Sequence, residues 1–235
     1  MCGRYTLVED PENLALWFEA VFEEIESMEP NYNVAPTHIM PVVRQIEQDY
    51  RAIECYSWGL LPYWAKERKS GYNMINARAE TLNSKRSFKV YFENQRCLVP
   101  ASGFYEWKGN KENRIPFYIY PTHEPVFAFA GLYNLWISPA GETVPSYTII
   151  TTRANEKMAN LHNRMPAVLL KEEWSSWLDP DNHNTGALQD LLNPLPDDAL
   201  DYYTVSREVN NVKNNNPELL ERTEGGSSVT GDLFA

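Results

Sequence analysis

A cysteine directly follows the initiator methionine in the opening Met1-Cys2-Gly3-Arg4-Tyr5. Once Met1 is removed, Cys2 carries an amine and a thiol on adjacent carbons. Such a 1,2-aminothiol captures an aldehyde in two steps, because the amine condenses to an imine and the thiolate then closes a five-membered thiazolidine. The reference pKa values of about 7.7–8.0 for an α-amine and about 8.5 for a thiol leave both nucleophiles available near neutral pH. The plainer alternative is an inert cysteine at position two by chance.

Two further side chains are candidates for moving protons. Glu106 lies within residues 103–107, a run that otherwise predicts a buried strand. Burial of an unpaired carboxylate is costly, which suits such a group to donate and accept protons. His162 stands at the predicted end of a short helix, and histidine titrates near neutral pH. The alternatives are a Glu106 that faces solvent or pairs with an arginine, and a His162 that caps a helix or packs in the core.

A polar row follows in residues 75–81, where Asn76, Arg78 and Glu80 alternate. An extended segment would place all three on one face. Arg78 could then bind a phosphate through two hydrogen bonds while Asn76 positions a reacting amine. A structural salt bridge between Arg78 and Glu80 is the plainer interpretation.

Positive charge is concentrated next to an aromatic pair. The net charge is −11, yet residues 65–89 hold seven basic and two acidic side chains, so this segment carries +5 and the rest of the chain −16. Tyr63 and Trp64 immediately precede it. Aromatic rings can stack against an exposed base while the adjacent basic side chains neutralise the phosphate backbone. The alternative is a solvated loop.

The elements that would position these residues are short and mixed. Asp10-Pro11 predicts the start of a helix whose apolar residues recur at helical spacing to Ile25. Strands are predicted around residues 41–46, 52–58, 96–99, 116–120, 126–133, 146–151 and 201–205, and helices at 155–161, 171–178 and 186–192. From Pro217 the composition becomes that of a loose tail. We therefore expect one domain over residues 1–216 and a tail over 217–235.

Length and composition exclude several classes. A chain of 235 residues with 43% hydrophobic content suits a single domain with a substantial core. No apolar run reaches the roughly 18 residues of a membrane span, so we expect a soluble, cytoplasmic protein that binds no membrane. Three cysteines without close spacing predict neither a disulfide framework nor a structural metal site. We expect no metal and no cofactor.

The motifs together resemble one family. They are, in chain order, the opening pentapeptide, Tyr32-Asn33-Val34-Ala35-Pro36, Trp58-Gly59 with Pro62 and Trp64, residues 76–81, residues 103–107, residues 162–166, and Val205-Ser206-Arg207 with Asn211-Val212-Lys213. This set resembles the SOS-response-associated peptidase (SRAP) family of abasic-site processing proteins. The resemblance implies an α+β fold, with a single SRAP domain built on an antiparallel β-barrel-like core with flanking helices. Two features depart from the family pattern: Tyr63-Trp64 stands where some relatives carry adjacent tryptophans, and the tail has no family motif.

The resemblance also implies roles for individual residues. Cys2 would be the covalent nucleophile, Asn76 would hold its amine, and Glu106 with His162 would manage proton transfers. Arg4, Asn33, Trp64, Arg78 and Arg164 would contact the substrate DNA. Met1 would be removed by the protein itself, although a methionine aminopeptidase could do the same.

The implied substrate is single-stranded DNA that contains an abasic site, because the ring-opened deoxyribose is the aldehyde that an aminothiol captures. Weak strand cleavage by β-elimination is the expected side reaction. The resemblance suggests a monomer, nucleoid-associated in a bacterium, whose replication-fork partners the sequence does not specify. Two other functions fit the same residues: a thiol protease that uses Cys2 as an N-terminal nucleophile on other proteins, and a non-covalent single-stranded DNA-binding module.

Overall fold

The computed structural model describes residues 2–23, 28–47, 50–110 and 113–223. The α-helices in these residues are α1 (Pro11–Phe18), α2 (Arg86–Asn94), α3 (Glu156–Ala159), α4 (Trp174–Leu178) and α5 (Thr185–Asp190). The strands are β1 (Tyr5–Leu7), β2 (Ala20–Phe22), β3 (Asn31–Val34), β4 (Ile39–Glu47), β5 (Tyr50–Trp58), β6 (Asn76–Arg78), β7 (Arg96–Ala101), β8 (Gly103–Lys108), β9 (Ile115–Pro121), β10 (Phe127–Ile137), β11 (Thr143–Arg153), β12 (Arg164–Pro166) and β13 (Leu200–Thr204).

A closed barrel forms the centre of the fold. Strands β11, β10, β7, β4 and β5 pair in that order with antiparallel neighbours. The ring closes where β5 pairs with β11 in parallel, with Ser57 opposite Ser146 and Trp58 opposite Tyr147. Strand β7 is buried at every position, as expected where both faces of a strand are covered by apolar neighbours.

A second, antiparallel sheet packs beside the barrel, with the strand order β13-β9-β8-β1-β3. It joins the barrel through aromatic contacts, for example between Phe104 of β8 and Phe129 of β10, whose ring centroids are 5.9 Å apart. This sheet matters for the site because β1 begins three residues after Cys2 and β8 carries Glu106. The predicted α+β class, with a barrel-like core and flanking helices, is confirmed.

Most predicted elements are present, with three corrections. Helix α1 begins after Asp10, as predicted, but ends at Phe18 because Glu19 adopts a left-handed conformation with φ 51°. The following residues form β2, which pairs in parallel with β5, so Val21 and Phe22 belong to a sheet and not to the predicted helix. Ile25 lies outside the described residues. Helix α2 was not predicted, and it occupies the end of the basic segment.

The third correction concerns the predicted tail. Residues 217–220 form a 3₁₀ turn, and Leu219 is buried in a cluster with Tyr105 and Val209. Arg222 forms a β-bridge with Val205. Packed structure therefore continues at least to Thr223. The apolar side chain of Leu219 is buried against the domain, which the composition of this segment did not indicate. No helix among the described residues combines the length and apolar character that a bilayer crossing needs.

Candidate active site

Cys2 lies in the interior and not on the surface. Its side chain has no solvent exposure, and its thiol donates a weak hydrogen bond to the carbonyl oxygen of Arg4, with the sulfur 3.7 Å from that oxygen. Burial raises the pKa of the Cys2 thiol, and the negative charge of Glu106 raises it further. The thiol is therefore protonated at neutral pH in the resting protein.

Asn76 lies directly against Cys2. It occupies β6, which pairs in parallel with the later part of β11, so that Asn76 stands opposite Ile149. Its side-chain Nδ2 donates a hydrogen bond of 2.7 Å to the carbonyl oxygen of Cys2. Its Oδ1 is buried and has no hydrogen-bond partner among the described residues. One amide thus fixes the main chain of Cys2 and keeps a buried acceptor beside it.

Glu106 approaches from the second sheet. Strand β8 runs antiparallel to β1, with Phe104 opposite Tyr5, and the amide of Tyr105 donates to the carbonyl of Arg4. Glu106 follows, is buried, and acts electrostatically on the Cys2 thiol. The structure therefore brings Cys2, Asn76 and Glu106 together from three separate strands or strand ends; their catalytic roles stay a prediction.

His162 lies on the other side of β11. It follows α3 and precedes β12, which pairs with the later part of β11, the same part that pairs with β6 on its opposite edge. The amide nitrogen of Arg164 lies 3.0 Å from His162 Nδ1, and the carbonyl oxygen of Arg164 lies 3.2 Å from the same ring nitrogen. His162 is half-buried. His162 and Asn76 therefore flank one strand, β11, from its two edges.

Arg164 and Arg78 also lie at the two edges of β11, since Arg164 is in β12 and Arg78 is in β6. Their surroundings differ. Arg164 donates to Glu80 Oε1 at 2.5 Å and to the carbonyl oxygen and hydroxyl of Thr151. The hydrogen bond from Arg164 lowers the pKa of Glu80. Arg78 is exposed, and the predicted Arg78–Glu80 bridge is wrong because Glu80 pairs with Arg164. The extended segment also ends at Arg78, since residues 79–81 form a 3₁₀ turn.

Arg4 and Asn33 bind the loop formed by residues 207–214. Arg4 Nη1 donates to Asn33 Oδ1 at 2.6 Å and to the carbonyl of Val209 at 2.9 Å. Asn33 Nδ2 donates to the carbonyls of Asn211 and Asn214 at 3.0 and 2.9 Å. Both side chains therefore hold residues 207–214 in place, a role that the sequence did not suggest. Their contact with DNA stays a prediction.

Trp64 lies on a long excursion between β5 and β6, which we define as residues 59–75. It is 44% exposed and forms an edge-to-face pair with Tyr63, which is also exposed. The excursion is held at both ends, since Gly59 donates to the Tyr147 carbonyl and Leu60 donates to the Met74 carbonyl. Gly59 and Gly71 are in such close contact that a Cβ on Gly71 would lie 2.4 Å from the Gly59 oxygen. The excursion, in which the basic segment begins, is therefore fixed at both ends by main-chain hydrogen bonds.

The fold and the site define a class of α+β protein in which a cysteine at the second position is buried at a closed barrel, against an asparagine and a carboxylate. Residues 1–212 match the SOS response associated peptidase (SRAP) family, and the chain belongs to that family.

Relatives and solved structures agree with this assignment. The chain is 42% identical to the abasic site processing protein YoqW of Bacillus subtilis (strain 168), covering 94% of this chain and 99% of that protein. It is 34% identical to the abasic site processing protein HMCES of Mus musculus, covering 81% of this chain and 64% of that protein. A crystal structure of a protein from Bacteroides thetaiotaomicron superposes with a TM-score of 0.85 at 28% identity, over 94% of this chain and 100% of that one.

Proposed function

We propose that this protein captures abasic sites in single-stranded DNA, forming a covalent thiazolidine between Cys2 and the ring-opened deoxyribose after Met1 has been removed. The support comes from the aminothiol that Cys2 would present, its position against Asn76 and Glu106, and relatives that carry the name abasic site processing protein.

The side-chain oxygen of Asn76 supports the proposal more strongly than the burial of Cys2 does. Asn76 Oδ1 is a buried acceptor without a hydrogen-bond partner among the described residues, and it belongs to the side chain that already binds Cys2. Buried polar atoms are nearly always satisfied. Removal of Met1 converts the amide nitrogen of Cys2 into an amine with additional N–H donors, and such an amine would satisfy this oxygen. The arrangement suits a processed Cys2 better than an internal one.

The buried thiol sets the order of the chemical steps. Because the raised pKa keeps the thiol protonated, the amine attacks first. Its lone pair adds to C1′ of the aldehyde, and the carbinolamine loses water to give an imine. The sulfur then adds to the imine carbon while its proton passes to the imine nitrogen, which leaves a secondary amine in a five-membered ring. No oxidant or reductant is needed, and the atoms balance with one water released.

Glu106 and His162 would carry the protons in these steps. The loss of water requires a proton on the departing hydroxyl, and Glu106 is the acidic side chain that acts on the Cys2 thiol. His162 would protonate the sugar oxygen during ring opening. Should a C2′ proton leave before the ring closes, the 3′ phosphate is eliminated, so strand cleavage would be a minor competing outcome.

Intact-mass measurement tests the proposal, with the protein alone and after incubation with an abasic single strand. We expect a chain that begins at Cys2 and a stoichiometric adduct that survives denaturation. Cys2→Ala should abolish the adduct, Cys2→Ser should yield only an imine that borohydride can trap, and Cys55→Ser should behave as the wild type. A full adduct with Cys2→Ala would show that the nucleophile is misassigned.

Two other functions are separable by a peptide-turnover assay and a binding assay. A protease of other proteins that uses Cys2 would turn over peptide substrates without DNA. A non-covalent binding module would hold intact and abasic strands equally well and give no adduct. The names of the relatives, abasic site processing proteins, favour the covalent function over both.

A further inference from the structure

A cavity of about 370 Å³ opens where β5 and β11 close the barrel, at one side of the excursion formed by residues 59–75. Its walls include Ser57 and Pro145 from the closing strands and Arg68 and Tyr72 from the excursion. Ile39 also lines it, and Ile39 and Tyr72 are 67% and 55% exposed. Two large apolar side chains are therefore exposed to solvent at one cavity, as in a site where a planar ring stacks.

The charge at this cavity is suited to a phosphate. Arg68 pairs with Glu142 at 3.2 Å, and both side chains are about two thirds exposed, at 65% and 66%. An exposed pair of this kind contributes little to stability, so the guanidinium is available to exchange Glu142 for a stronger anionic partner. Lys66 and Lys69 are exposed neighbours of Arg68 in the chain. A nucleotide whose base lies in the cavity would therefore have cationic side chains near its phosphate.

The cavity also has a strained wall. Thr37 lines it with φ 77°, a left-handed conformation that a β-branched residue rarely adopts. The conformation is held by the Thr37 amide, which donates to the Trp58 carbonyl, and by Ser57, whose hydroxyl donates to the Thr37 carbonyl. Strained backbone of this type persists where the surrounding structure fixes it, often at ligand sites.

The register of β11 gives the spacing between this cavity and the candidate active site. Ser57 stands opposite Ser146, and Asn76 stands opposite Ile149. From Pro145 to Ile149 is four residues, or about 13 Å along the strand. Stacked nucleotides rise 3.4 Å each and extended ones more, so this separation corresponds to about two to four nucleotides.

We propose that this cavity is a second nucleobase subsite, in which a base about two to four nucleotides from the abasic position stacks on Tyr72 against Ile39. Arg68 leaves Glu142 to bind the adjoining phosphate. The subsite rests on the proposed function, since it receives the same DNA strand, and it lies on one side of the lesion only. It would make the protein depend on a base at a defined distance from the missing one.

A spacer scan tests the subsite without interference from covalent capture. Single-stranded oligonucleotides carry one tetrahydrofuran, which has no aldehyde, at the lesion position, and a second tetrahydrofuran at each flanking position in turn. Fluorescence anisotropy gives the Kd for each strand. We expect the second spacer to weaken binding about 5-fold or more at one position two to four nucleotides away on one side, and less than 2-fold elsewhere.

Variants assign the effect to the cavity. Tyr72→Ala should remove the position-dependent loss, Tyr72→Phe should retain it, and Glu142→Gln should tighten binding. Ile137→Ala, which removes an exposed apolar side chain outside the cavity, should match the wild type. A flat scan, or a Tyr72→Ala variant that keeps the wild-type profile, would overturn the subsite. If one of these results is obtained and abasic DNA still forms the adduct, the subsite fails and the proposed function stands. If the wild type forms no adduct with abasic DNA, the proposed function fails.

Discussion

The side-chain amide of Asn76 donates from Nδ2 to the main-chain carbonyl oxygen of Cys2 across 2.7 Å. The two residues are 74 positions apart in sequence and meet because β6 extends the edge of β11 beyond the point where β5 ends. This contact fixes the cysteine by its main chain and leaves the thiol and the nitrogen to react.

Replacement of Asn76 should therefore impair the reaction more than the fold. Asn76→Ala removes the donor to the Cys2 carbonyl and the buried oxygen of the same amide, and loss of one or two such hydrogen bonds corresponds to about 1–3 kcal/mol. We expect adduct formation to slow by about 10-fold or more in single-turnover assays on abasic single strands. Asn83→Ala, at an exposed position, is the matched control. An unchanged rate for Asn76→Ala would remove this residue from the proposed site.

Some of this site could be predicted from sequence. Its position made Cys2 a candidate, a carboxylate within an apolar run did the same for Glu106, and the alternation of polar residues at 76–80 did so for Asn76. Their roles in one site came from the resemblance to the SRAP family. Periodicity also found the strands of the barrel, because their apolar runs are bounded by turn residues.

The rest depended on pairings between distant residues. Glu80 alternates with Arg78 in the chain, yet its partner is Arg164, 84 positions away. The end of α1 at Glu19 could not be predicted either, because the apolar spacing continues through Val21 and Phe22, and only pairing with β5 makes these residues a strand. Arg4 and Asn33 show the same limit, since their partners are main-chain carbonyls that carry no sequence signal.

Arg4 and Asn33 should act together in holding residues 207–214. Arg4→Met should lower the free energy of unfolding by about 1–3 kcal/mol, because it leaves Asn33 Oδ1 without this donor and removes one of the two donors to the Val209 carbonyl. Chemical denaturation measures this, and hydrogen exchange should show faster exchange confined to the loop. Arg207→Ala, at an exposed position in the same loop, should have little effect. In a double-mutant cycle, additive losses for Arg4→Met and Asn33→Ala would contradict a shared role.

Gly71 should tolerate no side chain. A Cβ there would lie 2.4 Å from the Gly59 carbonyl oxygen and 3.1 Å from its carbon, both main-chain atoms that cannot move aside independently. We expect Gly71→Ala to displace the excursion, lower Tm and weaken binding of single-stranded DNA. Gly186→Ala is the control, because its new Cβ would meet only a side-chain atom at 3.4 Å within α5. Equal Tm values for the two variants would show that the Gly59–Gly71 contact does not support the excursion.

Stability should fall in alkaline solution. Burial raises the pKa of the Cys2 thiol and the pKa values of Tyr5, Tyr118 and Tyr147 above those of the same groups in an unfolded chain. The folded protein thus keeps these groups neutral while the unfolded chain would ionise them. The stability is complete below about pH 9 and is lost as pH rises further. Tyrosinate absorbance during a pH titration should show a fraction that ionises only on unfolding; reversible ionisation of every tyrosine in the native state would be contrary to this.

The closure of the barrel by β5 and its continuation by β6 along one edge of β11 brings both ends of residues 59–75 back to neighbouring positions on the same strand. The largely exposed residues 63–69 within this excursion form a module whose length and sequence could change while the Gly59–Gly71 contact and the hydrogen-bond ladder that closes the ring are kept. Protein engineers could therefore exchange this module between relatives to change which nucleic acid the protein holds, while the cysteine and its neighbours stay in place. The same architecture would allow related proteins to change the shape of the substrate that they bind more readily than the reaction that they carry out.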